Sequence, residues 1–454
     1  MLELPKRGAT HTTSKYAPLG LKDMPFPETP LVDPYSSDPR RNGGIYAVSP
    51  VKAEIEKFEE LLIDPDDFEN RATLAYLWSK GDQQSGRGVG KTALLQYFRQ
   101  RINRDWGKSE FSNRFSALVV YVSFPSQVDR RWMEQLALSG LVDICRSGVL
   151  EASRALLRLE TMTEEQARAV LDDGSGGQDP RRLLDDPILT ANGVDPSVID
   201  AAITDRLISE GVEGVVAMHL TQGLFEDYLR SFRRDRQLLP LYVPRDTRAL
   251  DFSRTLLFND LVNYLRTAGF AGGYLFIDDI ENLVDRMPRR SRIVFAKEFG
   301  LCAVRPGYAN TLYRFFSCVL TTHQQASLGL AAAWAEAGLA AIAPLHPASP
   351  NSVELPLPTR DQAREILVAH LDYYRLEQGE KGSIAPFTTD GIDALLRNQE
   401  NPHPRGMLAD AYRAVLKAAQ DGKASIDAET VRAAISEVGG VAVPDVSAGI
   451  EDAL

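Results

Sequence analysis

Cysteine is scarce in this chain: Cys145, Cys302 and Cys318 are the three among 454 residues. No two of them have the Cys-x-x-Cys spacing of a zinc or redox site, which argues against zinc and for a reducing compartment. Long apolar runs are also missing, since the most apolar helical stretch, residues 330–335, is interrupted by Glu336. A membrane span needs about 18–20 apolar residues, and no early segment resembles a signal peptide. We therefore expect a cytoplasmic protein without membrane segments.

An excess of positive charge is absent as well. Lys and Arg number 51 against 62 Asp and Glu, so the formal net charge is −11. This excludes a protein coated with basic surface for nucleic acid, although a local basic groove remains compatible. One local cluster, Arg230, Arg233, Arg234 and Arg236, is either a DNA or phosphate contact or a solvated helix face. The length predicts two or three domains.

The chain does contain a glycine-rich stretch, residues 85–92, with the sequence Ser-Gly-Arg-Gly-Val-Gly-Lys-Thr. It lies between an apolar run that predicts a strand and a segment with helical spacing, which is the context of a phosphate loop. Lys91 would reach the β- and γ-phosphates of a nucleotide, and Thr92 would offer its hydroxyl to Mg²⁺. Ser85 stands where such loops usually begin with glycine, so a glycine-rich surface turn is the alternative. The predicted phosphate-binding residues are Gly86, Arg87, Gly88, Val89, Gly90, Lys91 and Thr92.

Carboxylates follow a second apolar strand, residues 273–277. Asp278 is predicted to hold Mg²⁺, directly or through water, and Asp279 to orient the attacking water. Glu281 is the substitute for the second role. Together with the phosphate loop, these carboxylates predict an ATPase that uses ATP and Mg²⁺.

A third polar group follows the predicted strand 313–320, where the chain reads Thr321-Thr322-His323. A polar side chain beside the carboxylate-bearing strand would be able to hydrogen-bond the γ-phosphate or the attacking water. Thr322 and His323 are the candidates, and Thr322 is preferred because a lone histidine is more often structural.

Composition and periodicity divide the chain into several parts. Buried β-branched runs such as residues 115–124 indicate parallel strands, so the predicted fold class is α/β. We expect a P-loop NTPase parallel-sheet core with a helical insertion and a C-terminal all-α lid. The predicted parts are an extended arm (1–50), the core (51–124 and 251–357), the insertion (125–250), the lid (358–440) and a flexible tail (441–454).

The phosphate loop, the strand Leu-Phe-Ile-Asp-Asp at 275–279 and a lid with the turn Asn-Pro-His-Pro-Arg at 401–405 together resemble the AAA+ ATPases. Within them, the chain is similar to the initiator-like group of origin-recognition, transposition-regulator and secretion-associated ATPases. The resemblance covers about two thirds of the chain and implies that Arg405 reaches from the lid to the γ-phosphate. The box Gly-Leu…Pro-Phe within residues 20–26 is similar to a leader of the secretion and transposition members.

Two departures from the family pattern concern catalysis. Asp279 stands where members usually carry the longer Glu, which favours slow hydrolysis. The resemblance also implies an arginine supplied to a neighbouring subunit, yet no Arg or Lys lies between His323 and Thr359. The candidates for that arginine are Arg286, Arg289, Arg290, Arg292, Arg305 and Arg314.

Two functions follow from these features. The first is an ATP-hydrolysing regulator whose nucleotide state controls self-assembly, as a homo-oligomer or hetero-complex, and engagement of DNA or a DNA-processing partner. Replication, transposition and mobile-element defence are the processes that the resemblance implies. The alternative is a slow nucleotide switch or scaffold that recruits an effector protein through the insertion. A third option, a secretion or envelope ATPase, depends on the leader box alone.

Overall fold

The computed structural model describes most of the chain. The described residues are 14–63, 68–81, 86–124, 132–172, 178–234, 253–282, 287–305, 314–376, 381–397 and 399–436, with only the backbone described at 132–134, 231–234 and 253–256. Some residues that the sequence singles out lie outside these ranges: Ser85, Arg236, Arg286 and the tail 441–454.

The chain forms two compact units. The first, called the lid unit here, comprises residues 1–55, 85–97 and 355–454. The second, called the sheet unit, comprises residues 56–84 and 98–354. Each unit therefore combines segments that are distant in the sequence.

The sheet unit is built on five parallel strands in the order β2-β3-β4-β1-β5. They are β1 (Leu74–Ser79), β2 (Ser116–Ser123), β3 (Phe270–Asp278), β4 (Phe316–His323) and β5 (Ser352–Glu354). Nearly every residue of the four longer strands is buried, as expected for a parallel sheet covered on both faces. The predicted α/β fold with a parallel-sheet core is confirmed.

The carboxyl ends of three strands carry polar residues in register. Ser123 at the end of β2 pairs with Asp278 at the end of β3. On β4, Leu320 is paired with Ile277, so Thr321 comes level with the end of β3. Ligands of open parallel sheets bind beyond the carboxyl ends of the strands, so this edge is the expected location of catalytic groups.

Helices account for most of the remaining described residues, and none of those described is long and apolar enough to cross a membrane. In chain order they are α1 (Lys52–Leu62), α2 (Lys91–Asp105), α3 (Trp132–Ser147), α4 (Val149–Thr161), α5 (Glu164–Leu171), α6 (Asp186–Ala191), α7 (Pro196–Ser209), α8 (Gly214–Thr221), α9 (Phe225–Arg234), α10 (Ser253–Thr267), α11 (Arg289–Phe299), α12 (Gln324–Glu336), α13 (Arg360–Tyr374), α14 (Thr389–Leu395), α15 (Pro404–Gln420) and α16 (Ala428–Ser436).

The helices of the predicted insertion share their apolar core with the sheet. Leu141 and Ile144 of α3 belong to the same buried cluster as Leu118 and Val120 of β2. Helices further along, including α7 and α8, contribute to this cluster as well. The insertion is thus packed as part of the sheet unit.

The insertion also contains a buried ionic network around Arg158 of α4. The Arg158 side chain is fully buried, and its guanidinium donates to Asp200 at 2.9 and 2.8 Å and to Asp186 at 2.8 Å. Because a buried guanidinium without partners is costly, these bonds tie α4 to α6 and α7.

In the lid unit, the segment before α1 forms part of the core. Leu21 and Phe26, both from the leader box, are fully buried in one cluster with α13, α15 and α16. The Phe26 ring lies 5.7 Å from that of His370, whose Nδ1 is 3.1 Å from the Pro25 carbonyl oxygen. Burial lowers the pKa of His370 to about 4, so this histidine is neutral at physiological pH.

Candidate nucleotide-binding site

The phosphate loop has the backbone geometry that its glycines predict. Gly88 and Gly90 have φ angles of 77° and 114°, in the region that favours glycine. The loop then enters α2, which begins at Lys91. Backbone N–H groups of such a loop, together with the N-terminus of a helix, form an anion-binding cradle.

Lys91 and Thr92 occupy the first two positions of α2. The Lys91 side chain is buried, and its Nζ donates to the Gly86 carbonyl oxygen at 2.7 Å. This bond uses one of the three donors of the ammonium and places its charge inside the loop. Thr92 is partly buried. Lysine and threonine at these positions fit polyphosphate and Mg²⁺, respectively.

Two residues of the lid lie against the middle of the phosphate loop. A Cβ atom built on Gly88 would come within 2.7 Å of His403 Cε1 and within 3.0 Å of Arg405 Cβ and Nε. Only glycine therefore fits at position 88. Arg405 is exposed at the start of α15, and its Nε lies beside Gly88. Its contact with the γ-phosphate stays a prediction. His403 belongs to the same Asn-Pro-His-Pro-Arg turn but was not among the predicted site residues.

The electrostatic environment of the loop is strongly cationic. Burial lowers the pKa of His403 below its ordinary value, and the charges of Arg405 and Lys91 lower it further. A hydrogen bond to the backbone of Arg87 acts in the opposite direction. We name Gly86, Gly88, Lys91, His403 and Arg405 the phosphate-loop cluster.

In the sheet unit, Asp278 is held by side chains of the two neighbouring strands and by the backbone N–H of the next residue. Its side chain is buried and accepts from the Tyr121 hydroxyl at 2.9 Å and from the Thr321 hydroxyl. The backbone N–H of Asp279 donates to the same carboxylate at 3.0 Å. A carboxylate fixed in this way is a suitable oxygen ligand for Mg²⁺, which demands near-ideal geometry. The pairing of Asp278 with Thr92 at one metal ion stays a prediction.

Asp279 lies at a sharp turn directly after β3. Its φ angle is 58°, a left-handed conformation that costs on the order of 1–3 kcal/mol in a non-glycine residue. Thr321 Oγ1 accepts from the Asp279 N–H at 2.9 Å, and Ser123 Oγ donates to the Asp279 carboxylate at 3.0 Å. Strain held by hydrogen bonds is characteristic of functional sites. We name Tyr121, Ser123, Asp278, Asp279 and Thr321 the carboxylate cluster.

Glu281, the predicted substitute for Asp279, is only 1% exposed. It lies within the turn that begins at Asp279, where the N–H of Asn282 donates to the Asp279 carbonyl oxygen at 3.0 Å. Of the two acidic side chains, Asp279 is the more accessible to water. The catalytic roles of both residues stay predictions.

Thr322 does not join the carboxylate cluster. Strand β4 extends to His323, three residues beyond the predicted end, so Thr321 and Thr322 lie within the strand. Neighbouring side chains of a strand point to opposite faces, and it is Thr321 that bonds Asp278. His323 caps α12 by accepting from the Ala326 N–H at 3.3 Å. If the strand had been predicted to end at His323, the alternation of side chains along it would have placed Thr321 and Thr322 on opposite faces. Thr321 would then have been a candidate for the contact with Asp278.

The candidate arginines differ in environment. Arg292 donates to the carbonyl oxygens of Met287 and Gly329 at 2.9 and 3.0 Å. Arg305 donates to the Ala337 carbonyl oxygen at 2.7 Å. These two arginines therefore have structural contacts, whereas three others are exposed at the surface: Arg289, Arg290 and Arg314.

The arginine cluster at the end of the insertion is described only in part. Arg230 of α9 is exposed and pairs with Glu226 at 2.6 Å, one helical turn earlier. Such a pair is typical of a solvated helix face. The side chains of Arg233, Arg234 and Arg236 are outside the described residues.

Comparisons with known proteins give similarity only at the level of structure. No protein-family model and no curated protein matches the chain. The chain is similar to Cdc6p from Pyrobaculum aerophilum, with 14% identity, coverage of 86% of this chain and 68% of that one, and a TM-score of 0.40. It is also similar to the Orc1 protein of Aeropyrum pernix in complex with DNA, with 14% identity, coverage of 86% of this chain and 65% of that one, and a TM-score of 0.39. For the ORC2 protein of Aeropyrum pernix in ADPNP–ADP complexes, the identity is 10%, the coverage is 91% of this chain and 70% of that one, and the TM-score is 0.40.

At these identities and TM-scores, the assignment of the fold depends on features of the chain itself. These are the strand order of the parallel sheet, the phosphate loop that follows β1 and the paired aspartates at the end of β3. Together they give an α/β protein with a parallel-sheet core of the P-loop NTPase type.

Proposed function

We propose that this protein binds ATP with Mg²⁺ and hydrolyses it, and that its nucleotide state controls self-assembly and engagement of DNA or a DNA-processing partner. The observation that carries the proposal is the phosphate-loop cluster. It combines a loop with two left-handed glycines, a buried lysine and two basic residues against Gly88. This combination suits a polyphosphate, because backbone donors and fixed positive charge both favour anions.

Each residue has a distinct role in the proposal. The loop amides and Lys91 bind the phosphates, and Arg405 contacts the terminal phosphate from the lid. Thr92 and Asp278 supply oxygen ligands for Mg²⁺, which when bound neutralises charge that develops on the transferred phosphoryl group. Asp279 orients the attacking water. Positioning and electrostatic stabilisation of this kind supply most of the catalysis in phosphoryl transfer.

Partners are the least constrained part of the proposal. The association with DNA or a DNA-processing protein follows from the motif resemblance to initiator-like AAA+ ATPases. A net charge of −11 directs the search toward a local contact surface instead of a uniformly basic face. Completion of one subunit's site by another would make assembly depend on nucleotide.

A slow switch or scaffold is the second candidate, and the geometry of Asp279 favours it. The residue is one methylene shorter than glutamate, has a left-handed backbone, and accepts a hydrogen bond from Ser123. A carboxylate restrained in this way has less freedom to align water. The protein would then bind ATP tightly, hydrolyse it slowly and recruit an effector protein through its insertion.

Steady-state ATP turnover, measured over a range of protein concentrations with and without double-stranded DNA, separates the two candidates. The Asp279→Asn variant provides the background rate of hydrolysis. A specific rate that rises with protein concentration and with DNA supports the assembling regulator. A slow rate that is independent of both supports the switch. Failure of the wild-type protein to bind ATP in calorimetry would contradict both.

A further inference from the structure

We propose that His403 is a phosphate-contacting residue of the lid, which donates a hydrogen bond from its ring to an oxygen of the polyphosphate held by the loop. The inference rests on the proposed function, because it requires a polyphosphate at the loop. It adds a specific ligand-binding residue to the sequence-predicted set, which included only Arg405 from this turn.

The first support is the position of the ring. His403 Cε1 is so close to Gly88 that a Cβ atom there would lie 2.7 Å away. Both ring nitrogens are bonded to Cε1, so the polar edge of the imidazole lies at the middle of the phosphate loop. The ring also has a hydrogen bond to the backbone of Arg87, the residue before Gly88. The imidazole is therefore tied to the segment that would bind phosphate.

The second support is an unsatisfied nitrogen. His403 Nε2 is buried and has no hydrogen-bond partner among the described residues. Buried polar atoms without partners are rare and costly, so their presence calls for an explanation. The ring's other nitrogen donates to the Arg87 backbone, which accounts for the one N–H of the neutral imidazole. Nε2 therefore donates to a phosphate oxygen when the ring takes up a proton.

Helix capping does not explain the residue. His403 is the N-cap of α15, but its side chain makes no capping hydrogen bond. Pro404 follows at the first helical position, where its missing N–H costs the helix no hydrogen bond. Serine or aspartate would be the usual choice at an N-cap. The imidazole is thus turned to the loop and away from the helix that it begins.

The charges around the ring indicate how a ligand would change it. The groups that act on the imidazole are the Arg87 backbone and the side chains of Lys91 and Arg405. Two cations and burial lower its pKa, so the ring is neutral at physiological pH when no anion is near. A polyphosphate would raise the pKa again. Binding would then take up a proton at pH values between the pKa of His403 in the free protein and its pKa in the complex. The affinity for polyphosphate would increase as the pH falls through that range.

The test compares wild type with His403→Phe and His403→Gln by isothermal titration calorimetry, with inorganic tripolyphosphate and with ATP as ligands. Phenylalanine keeps the ring and removes its hydrogen bonds, whereas glutamine keeps a donor that does not titrate. We expect His403→Phe to weaken tripolyphosphate binding about tenfold, as for loss of a hydrogen bond to a charged group, and His403→Gln to weaken it less.

The pH dependence provides the second readout. As the pH is lowered from about 8 to about 6, the affinity of wild type for tripolyphosphate should increase. We expect this increase to be at least about threefold larger than the increase measured for His403→Gln. Protonation of tripolyphosphate affects the wild type and the variant equally, so it cancels in this comparison. His346→Gln, at an exposed histidine of the sheet unit, is the matched control and should retain the wild-type pH dependence.

The outcomes are distinct. Unchanged affinity and pH dependence in both His403 variants, with normal binding by wild type, would overturn this proposal and leave the proposed function intact. If wild type itself binds neither ATP nor tripolyphosphate, the proposed function fails and this inference with it. If His403→Phe does not fold, as judged by circular dichroism, the pH dependence of His403→Gln decides.

Discussion

The phosphate-loop cluster and the carboxylate cluster are built in opposite ways. The first is positively charged and depends on main-chain geometry, with Gly88 and Gly90 in left-handed conformations. The second is acidic and depends on side-chain hydrogen bonds, since Tyr121 and Thr321 hold Asp278 from the strands on either side of β3. An anion is bound by backbone N–H groups that the loop directs inward, whereas a carboxylate that binds a metal is positioned by side chains of neighbouring strands.

This difference determines how each cluster should respond to substitution. In the phosphate-loop cluster, the lysine contributes a charge that no neighbouring backbone group can replace. In the carboxylate cluster, several hydroxyl groups share the task of positioning, so single changes should have graded effects.

Lys91→Ala should produce the largest loss. Removing the buried ammonium should weaken ATP binding and lower turnover by about 100- to 1000-fold, comparable to removal of one preorganised electrostatic group. Turnover and calorimetric ATP binding are the measurements. Lys297→Ala is a matched control, because Lys297 is half-exposed in a surface pair with Glu336 and should be near neutral. Unchanged hydrolysis in Lys91→Ala would refute the assignment of the loop.

Asp279→Asn should separate catalysis from binding. Asparagine tolerates the left-handed backbone, so the turn should persist while the loss of the carboxylate slows hydrolysis by about 100-fold. Binding of ATP should be unchanged in calorimetry. Glu281→Gln provides the comparison within the same turn. If Glu281→Gln alone slows hydrolysis, the roles of the two acidic residues are exchanged.

Thr321→Val and Thr322→Val form a pair of nearly isosteric changes at adjacent positions. Thr321→Val removes a hydroxyl that donates to Asp278 and accepts from the Asp279 N–H, and should lower turnover about tenfold. It should also lower the free energy of unfolding by about 1–3 kcal/mol, because the buried Asp278 carboxylate loses a hydroxyl donor. Thr322→Val should leave turnover unchanged. The opposite ranking would show that Thr322 is the sensor, as the sequence predicted.

Arg405→Ala should have the smallest effect on binding and a specific effect on assembly. The side chain is exposed, so its contact with phosphate is screened more than that of Lys91. We expect about a threefold loss of ATP affinity. Light scattering with and without nucleotide should show that assembly no longer depends on ATP. A nucleotide response like that of wild type would exclude a sensing role for Arg405.

Local sequence was sufficient for several features. The glycine pattern before Lys91 predicted the loop, and the apolar run before Asp278 predicted the strand with its acidic end. Both are contiguous in the chain, so neighbouring residues determine their structure. The resemblance also indicated Arg405, whose side chain lies beside Gly88, while its role at the γ-phosphate stays a prediction.

Other features could not be read from contiguous residues. The predicted strand 313–320 ended three residues early, which put Thr322 forward in place of Thr321. Tyr121 and Ser123 joined the carboxylate cluster only because β2 pairs with β3 in parallel register. His403 was passed over, since nothing in its turn shows that the imidazole contacts Gly88.

The sequence by itself determined the fold class, the phosphate loop and the acidic end of β3, because each depends on backbone conformations and burial encoded in short runs. Only the tertiary structure decided which hydroxyl holds Asp278, which acidic residue remains accessible, and which lid residues lie against the loop. Those contacts join residues separated by tens to hundreds of positions, and their geometry depends on strand register and helix packing. A shift of one residue in the strand register moves each side chain to the opposite face of the sheet. The pairing of the strands therefore determines these contacts, and the local motif does not.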